Sequence, residues 1–275
     1  SMIENDVNSI KELKSFSPFF LYAPKIICYK FMYESDGYDV VGYMTRPKNS
    51  DVKLPVIIYN RGGNRDFRKL TKLQIGIQLS SLAAKNYVVL APQYRGVDGG
   101  TGRDEFGGDD LNDVENLIEV AKNIPYVDKE NIFMYGFSRG GMMTYMAARD
   151  RAEDINAAVI QSGTADVIQT YEQREQAMKR MLINLIGGTP YIKPKEYKNR
   201  SAVNWADEIN VPMLILHAEN DDRVDITQAK RMINELDEAN KEYDYYLYDR
   251  GGHGLGLYWI NVRKRTIDWF EKHKS

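Results

Sequence analysis

Ser138 lies between glycines in the run Gly136-Phe137-Ser138-Arg139-Gly140-Gly141. A hydroxyl held on a tight turn between a strand and a helix can attack a carbonyl carbon. The helix N-terminus favours the negative charge that develops there. The Gly-x-Ser-x-Gly pattern alone is weak, arising by chance in roughly one chain of this length in ten. Its setting is more specific. The apolar run Ile132-Phe133-Met134-Tyr135 leads straight into the turn, and a helical stretch begins at Gly140.

A serine nucleophile needs a base, and the chain has 3 histidines. His273 lies in a charged tail and is expected in solvent. His217 closes the run Met213-Leu214-Ile215-Leu216 and is expected to pack beside the site. His253, in Arg250-Gly251-Gly252-His253-Gly254 after a strand ending at Tyr248, is on a loop flexible enough to carry an imidazole over a sheet edge. His253 is therefore assigned as the base. A carboxylate must orient it, and chain order places the acid after the intervening strand. Glu219, Asp221, Asp222 and Asp225 all occur there. Asp225 sits where a helix N-cap would be, and spacing alone does not decide between Asp221 and Asp222. Two N–H groups should hold the oxyanion: that of Arg139, after the nucleophile, and that of Gly63, in the turn Asn60-Arg61-Gly62-Gly63-Asn64. This chemistry requires no metal and no cofactor.

The elements that must position these groups alternate along the chain. Ile26–Glu34 and Tyr38–Arg46, separated by Ser35-Asp36-Gly37, read as a β-hairpin. Buried strands follow at Val56–Tyr59, Tyr87–Ala91, Ile132–Tyr135, Ala157–Gln161 and Met213–His217, with a further strand at Tyr243–Tyr248. Helical stretches fall between them: to about Lys85, from about Asp110 to Lys122, Gly140–Arg149, Ile226–Asn240, and a last one from about Leu255 to His273. The pattern predicts an α/β-hydrolase fold: a doubly wound, mostly parallel sheet with an N-terminal antiparallel hairpin and a small helical insertion. Residues 1–54 form the N-terminal segment and edge hairpin, and 55–275 the catalytic core. Residues 164–205 break the alternation and form either a lid or an ordinary packing helix pair. Tyr171, Met178, Met181 and Trp205 are the candidate substrate-binding wall residues, of types that pack cores as readily as they line pockets.

Composition bounds the rest. The chain has 275 residues, 43% hydrophobic and 28% charged, with a net charge of -2. Nothing in this balance recruits nucleic acid or anionic lipid, and no stretch approaches the roughly 18 apolar residues of a membrane helix. Cys28 is the single cysteine, which rules out an intrachain disulfide and suits a reducing compartment. Residues Ser1 to Asp6 lack the basic and apolar regions of a signal peptide, and with Met2 as the natural start the expected location is the cytoplasm.

Around these residues the sequence resembles the catalytic domain of the prolyl oligopeptidase family of serine peptidases, which includes acylaminoacyl and dipeptidyl peptidases. The resemblance runs from about Pro55 to the C-terminus. It rests on Tyr94-Arg95-Gly96 followed by Gly107-Gly108-Asp109 and Asp113, and on Tyr126 to Ile132 leading into the Gly-Phe-Ser-Arg-Gly-Gly turn. It rests also on Ser201-Ala202-Val203-Asn204-Trp205 and on Val211 to His217. By this resemblance the acid is Asp221, the first aspartate of the pair. Arg61-Gly62-Gly63-Asn64 is similar to the family's His-Gly-Gly-Pro turn, with arginine and asparagine as departures. Arg139 stands where many peptidases of the family carry tyrosine. The residues before Pro55 are too few for the blades of the β-propeller that precedes the domain in larger members.

The expected function is hydrolysis of a peptide or aminoacyl amide bond in a short substrate through an acyl-enzyme. Carboxylesterase activity on the same residues is the alternative, and a non-catalytic binding protein on this fold is the alternative of another class. Self-association is one way such a domain could restrict access to its site.

Overall fold

The apolar runs of the sequence are strands covered on both faces. In the computed structural model, which describes residues 10–18 and 22–275, nine strands form one sheet. They are β1 (Ile10–Phe16), β2 (Ile26–Ser35), β3 (Tyr38–Pro47), β4 (Leu54–Asn60), β5 (Val88–Pro92), β6 (Val127–Phe137), β7 (Ala157–Gln161), β8 (Met213–Ala218) and β9 (Tyr243–Tyr248). Their spatial order is β1-β2-β3-β5-β4-β6-β7-β8-β9. The first three strands pair antiparallel, as does β3 with β5, and from β5 to β9 every pairing is parallel. The hairpin therefore belongs to the same sheet as the core. Residues 1–9, including the N-terminal stretch read above for a signal peptide, lie outside the described residues.

Side chains on alternate positions feed two separate cores. Val56 and Ile58 of β4, with Ile132 and Met134 of β6, face one layer, while Ile57, Tyr59, Phe133 and Tyr135 face the other. The first layer is covered by α3 (Asn112–Lys122), α4 (Arg139–Asp150) and α8 (Ile226–Glu238), which contribute Leu117, Met143 and Met232. The second is covered by a segment near residues 72–83 and by α9 (Trp259–Lys272), through Leu79 and Phe270. Burying each such aliphatic or aromatic side chain stabilises the fold by about 1.5–3 kcal/mol. This double burial is why the central strands lack an in–out alternation.

Three elements differ from the sequence reading. Strand β1 was not anticipated: its apolar residues Ile10, Leu13 and Phe16 are three apart, and a bulge between Ile10 and Glu12 shifts the register. The helical segment near residue 80 is broken into α1 (Lys72–Gln74), a π-turn Ile75–Leu79 and α2 (Ser80–Ala83). The last helix starts at Trp259, after a single 3-10 turn, Gly256–Tyr258. Between β7 and β8 lie α5 (Val167–Gln173), α6 (Gln176–Ile186) and α7 (Pro194–Asn199). Gly187, at φ 89°, closes α6 in the left-handed conformation that ends many helices.

The strand order reverses between β4 and β6. The chain leaves β4 toward β5 on one side and returns to β6 on the other, opening a crevice at the carboxyl ends of both strands. The loops after β4 and β6 carry the glycine turn and Ser138.

Candidate active site

Strand β6 delivers Ser138 to the edge of this crevice, and α4 begins at the next residue. Ser138 has φ 57° and ψ -122°, a costly conformation for a residue with a side chain. The structure around it enforces the turn. A Cβ on Gly140 would lie 1.9 Å from the Asn60 carbonyl oxygen, so α4 crosses β4 closely only because residue 140 is glycine. Asn60 Nδ2 donates to Thr144 Oγ1 at 2.8 Å and fastens the same crossing.

His253 Nε2 lies 2.9 Å from Ser138 Oγ, and its Nδ1 lies 2.9 and 3.0 Å from the two oxygens of Asp221. Asp221 has no proton to give, so Nδ1–H donates to it and Nε2 is left to accept from the serine hydroxyl. Asp221 also accepts the N–H groups of Arg223 and Val224, at 2.9 and 3.0 Å. His217 Nε2 donates to the Val224 carbonyl at 2.8 Å and lies 3.2 Å from Asp221 Oδ2. Burial works against a charged Asp221, but the hydrogen bonds from His217 and His253 outweigh it and hold the carboxyl well below the usual range. Asp222 points out to solvent.

The His253 loop is tied down on two sides. Gly252 N–H donates to Asn220 Oδ1 at 2.9 Å, and Gln161 Nε2 donates to the Gly254 carbonyl at 2.9 Å. The Tyr135 hydroxyl donates in turn to Gln161 Oε1. The Phe137 ring lies 5.0 Å from the imidazole and covers one of its faces.

The glycine turn after β4 abuts Ser138: a Cβ on Gly62 would stand 3.0 Å from Ser138 Cβ. Gly63 has φ +75°, and a Cβ there would meet the Phe67 carbonyl oxygen at 2.1 Å, so this position demands glycine. Among the described residues the Gly63 N–H donates to no protein oxygen. The Arg139 N–H, first in α4, has no acceptor within the helix.

Two buried arginines brace this turn. Arg139 Nη1 donates to Asp104 at 2.7 Å and to the Gly63 carbonyl at 3.3 Å, and Nη2 donates to Asp110 at 2.5 Å. Burial opposes the Arg139 charge, yet Asp104 and Asp110 outweigh it and raise its pKa. Asp104 is lowered correspondingly, by the Arg139 charge against its own burial. Arg61 donates to the carbonyls of Gln93, Gly62 and Arg65, at 2.7, 2.9 and 2.9 Å, with no carboxylate in contact among the described residues. Burial pulls its pKa down to about 10, so it stays charged at neutral pH. The two guanidinium groups lie 5.0 and 4.7 Å from the centre of the Tyr94 ring.

Ser138 and His253 open into a cavity of about 310 Å³. Met178 on α6 lines it, as do Thr170 and Arg174 from the end of α5. The other three proposed wall residues do not. Tyr171 packs edge-on against Tyr197, 6.0 Å between ring centres, and Met181 packs against the main core. Trp205 is buried, donating Nε1 to the Lys198 carbonyl at 3.1 Å under the Arg149 guanidinium. Their apolar character belonged to packing, as helix spacing without depth information could not reveal. His273 also departs from expectation: it is folded against Trp269 and bonded to its carbonyl and to Glu242, away from the site. Asp225 caps α8 by accepting the Thr227 N–H.

Asp104, Asp110, Gln161 and Asn220 went unnoticed in the sequence. Their spacing carries no pattern, because each reaches the site through the fold. The Gly107-Gly108 pair beside Asp104 and Asp110 was the one available cue.

A sheet of this order with a strained Ser138 turn facing His253 and Asp221 defines the α/β-hydrolase class. The prolyl oligopeptidase family model matches residues 74–275. The chain is 32% identical over 225 residues to the uncharacterized peptidase YtmA of Bacillus subtilis, covering 82% of this chain and 85% of that one. Dipeptidyl-peptidase 5 of Porphyromonas gingivalis is 26% identical over 219 residues, covering 74% of this chain and 31% of the relative. The acylaminoacyl peptidase of Pyrococcus horikoshii superposes with a TM-score of 0.78 at 22% identity, over 91% of this chain and 42% of that one. The chain thus spans most of YtmA and less than half of the larger relatives. It belongs to the prolyl oligopeptidase family and is a serine peptidase enzyme of that family.

No helix among the described residues is long and apolar enough to cross a membrane.

Proposed function

We propose that Ser138 attacks the carbonyl of a peptide or aminoacyl amide bond, with His253 as general base and then general acid. Asp221 orients His253 and stabilises its protonated form. The N–H groups of Gly63 and Arg139 hold the oxyanion, and Met178 forms part of the substrate wall. The observation that carries this reading is the unbroken chain Ser138 Oγ–His253–Asp221, with contacts of 2.9 Å on each side of the imidazole. Attack forms the bond from Oγ to carbon as the hydroxyl proton moves to Nε2. That proton then leaves with the amine, and water repeats the sequence in reverse to free the acid.

In the same reading residues 164–205 act as a lid, since Thr170, Arg174 and Met178 reach the cavity from α5 and α6. The lone Cys28, buried beside Ser80 with Sγ 3.7 Å from Oγ, suits a cytoplasmic setting.

The test is kcat/KM on an aminoacyl p-nitroanilide and on its matched p-nitrophenyl ester, for the wild type and Ser138→Ala. Turnover of the anilide, abolished by the substitution, is the expected result. Turnover of the ester alone would make the protein an esterase.

A further inference from the structure

The walls of the Ser138 cavity are cationic and, among the described residues, contain no carboxylate. Arg61, Arg68, Arg139, Arg174 and Arg223 line it, and neither aspartate nor glutamate does. Their partners divide them into two groups. Arg139 faces Asp104 and Asp110, and Arg174 is paired with Glu175 at 2.8 Å. Arg61, beside the Tyr94 ring, donates only to carbonyls among the described residues. The guanidinium groups of Arg68 and Arg223 make no hydrogen bond or ion pair among the described residues, although Arg68 lies over the Phe67 ring at 5.8 Å.

Arg223 is the best placed of these. It is half-buried, two residues after Asp221, and its N–H is bonded to the Asp221 carboxylate. Its carbonyl accepts from Arg174 Nη1 at 2.6 Å, which ties the acid loop to the end of α5. Glu175 also feels the Arg223 charge, but its side chain is 60% exposed, where water screens the interaction. The backbone of Arg223 is fixed on both sides, and an unpaired guanidinium carried from it into a cavity wall is suited to a planar anion.

We infer that the substrate carries a carboxylate close to the bond that is cleaved, held mainly by Arg223 and assisted by Arg68, and that a free amino group in this cavity is disfavoured. The chain would then act on acidic or carboxylate-bearing acyl groups or short peptides, rather than on those recognised by a protonated N-terminus. This inference rests on the proposed role of Ser138.

The experiment follows nitrophenolate release, burst phase included, from three p-nitrophenyl esters of equal chain length: the adipate half-ester, hexanoate and 6-aminohexanoate. The burst reports acylation whether or not turnover follows. At low salt the anionic ester should acylate the protein at least about ten-fold faster than the neutral one, and the cationic ester should be slowest. Salt at 0.5 M, where the screening length is only a few ångström, should shrink the ratio. Arg223→Gln should lower the anionic-to-neutral ratio, and adding Arg68→Gln should bring it near one. A wild-type ratio at or below one, or a ratio that survives both substitutions, would overturn the inference while fluorophosphonate labelling of Ser138 still upheld the nucleophile. Absence of that labelling would refute the nucleophile and this inference with it.

Discussion

Asp221 receives four polar contacts, from His253, His217 and the N–H groups of Arg223 and Val224. This coordination both fixes the contact to His253, the proposed base, and ties protonation to folding. The folded pKa is depressed, so Asp221 contributes stability that is present above the unfolded value of about 3.9 and is lost as pH falls through the folded value. Asp221→Asn should lower kcat by about 10⁴-fold, since an amide fails to hold the required imidazole tautomer. It should also lower stability at pH 7 and cost progressively less below about pH 4, where the wild-type carboxylate begins to lose its advantage. Urea unfolding at pH 7 and pH 3.5 measures this; a stability difference that grows on acidification would contradict the account. Arg139 offers a second case. Arg139→Gln leaves Asp104 and Asp110 buried without their cation, at an expected cost of about 3–5 kcal/mol. Thermal unfolding reads that loss, and a melting point unchanged from the wild type would remove the buried pairs from the list of stabilising contacts.

At the scale of elements, the two glycine turns divide into one that builds the fold and one proposed to serve the reaction. Gly140 lies in the crossing of α4 over β4, and the Gly63 N–H donates to no protein oxygen among the described residues. Gly140→Ala should therefore prevent stable folding, read as lost soluble yield or a much lower melting temperature. Gly63→Ala should displace its surface loop, because the new Cβ meets the Phe67 carbonyl oxygen at 2.1 Å, and should lower kcat by about 10²–10³-fold if one oxyanion donor is lost, with a smaller loss of melting temperature than Gly140→Ala. Equal loss of folding in both variants would refute this division. The same contrast explains what the sequence made legible. The buried strands were readable because continuous apolar runs mark strands covered on both faces, and Ser138, His253 and the Asp221 loop stood at their carboxyl ends. Strand β1 was hidden because a bulge separates Ile10 from Leu13 and because Leu13 and Phe16 pack on opposite layers, which leaves no two-residue period. The bracing of Gly63 by Arg139, itself paired with Asp104, was hidden because it joins residues far apart in sequence.

At the scale of the whole molecule, the switch point between β4 and β6 gathers the site, and the segment after β7 contributes part of its wall. Thr170, Arg174 and Met178 enter the cavity wall from α5 and α6, whereas Tyr171, Met181 and Trp205 secure the same region to the core. If this insertion is the lid proposed above, amide hydrogen exchange in α5 and α6 should slow once Ser138 is phosphonylated, relative to the free protein. Exchange unchanged there would assign these helices to packing alone. The carboxylate preference inferred above also belongs to this scale: if it holds, Arg223 and Arg68 in the cavity wall favour anionic acyl groups over those with a free amino group.

The central claim is that Ser138 is the nucleophile, activated by His253. The most direct measurement is covalent labelling by a fluorophosphonate, with the modified peptide mapped by mass spectrometry. The account predicts one adduct, on Ser138, absent from a folded Ser138→Ala variant and strongly slowed in His253→Ala. An adduct on another residue, or labelling that persists in the Ser138→Ala protein, would contradict it.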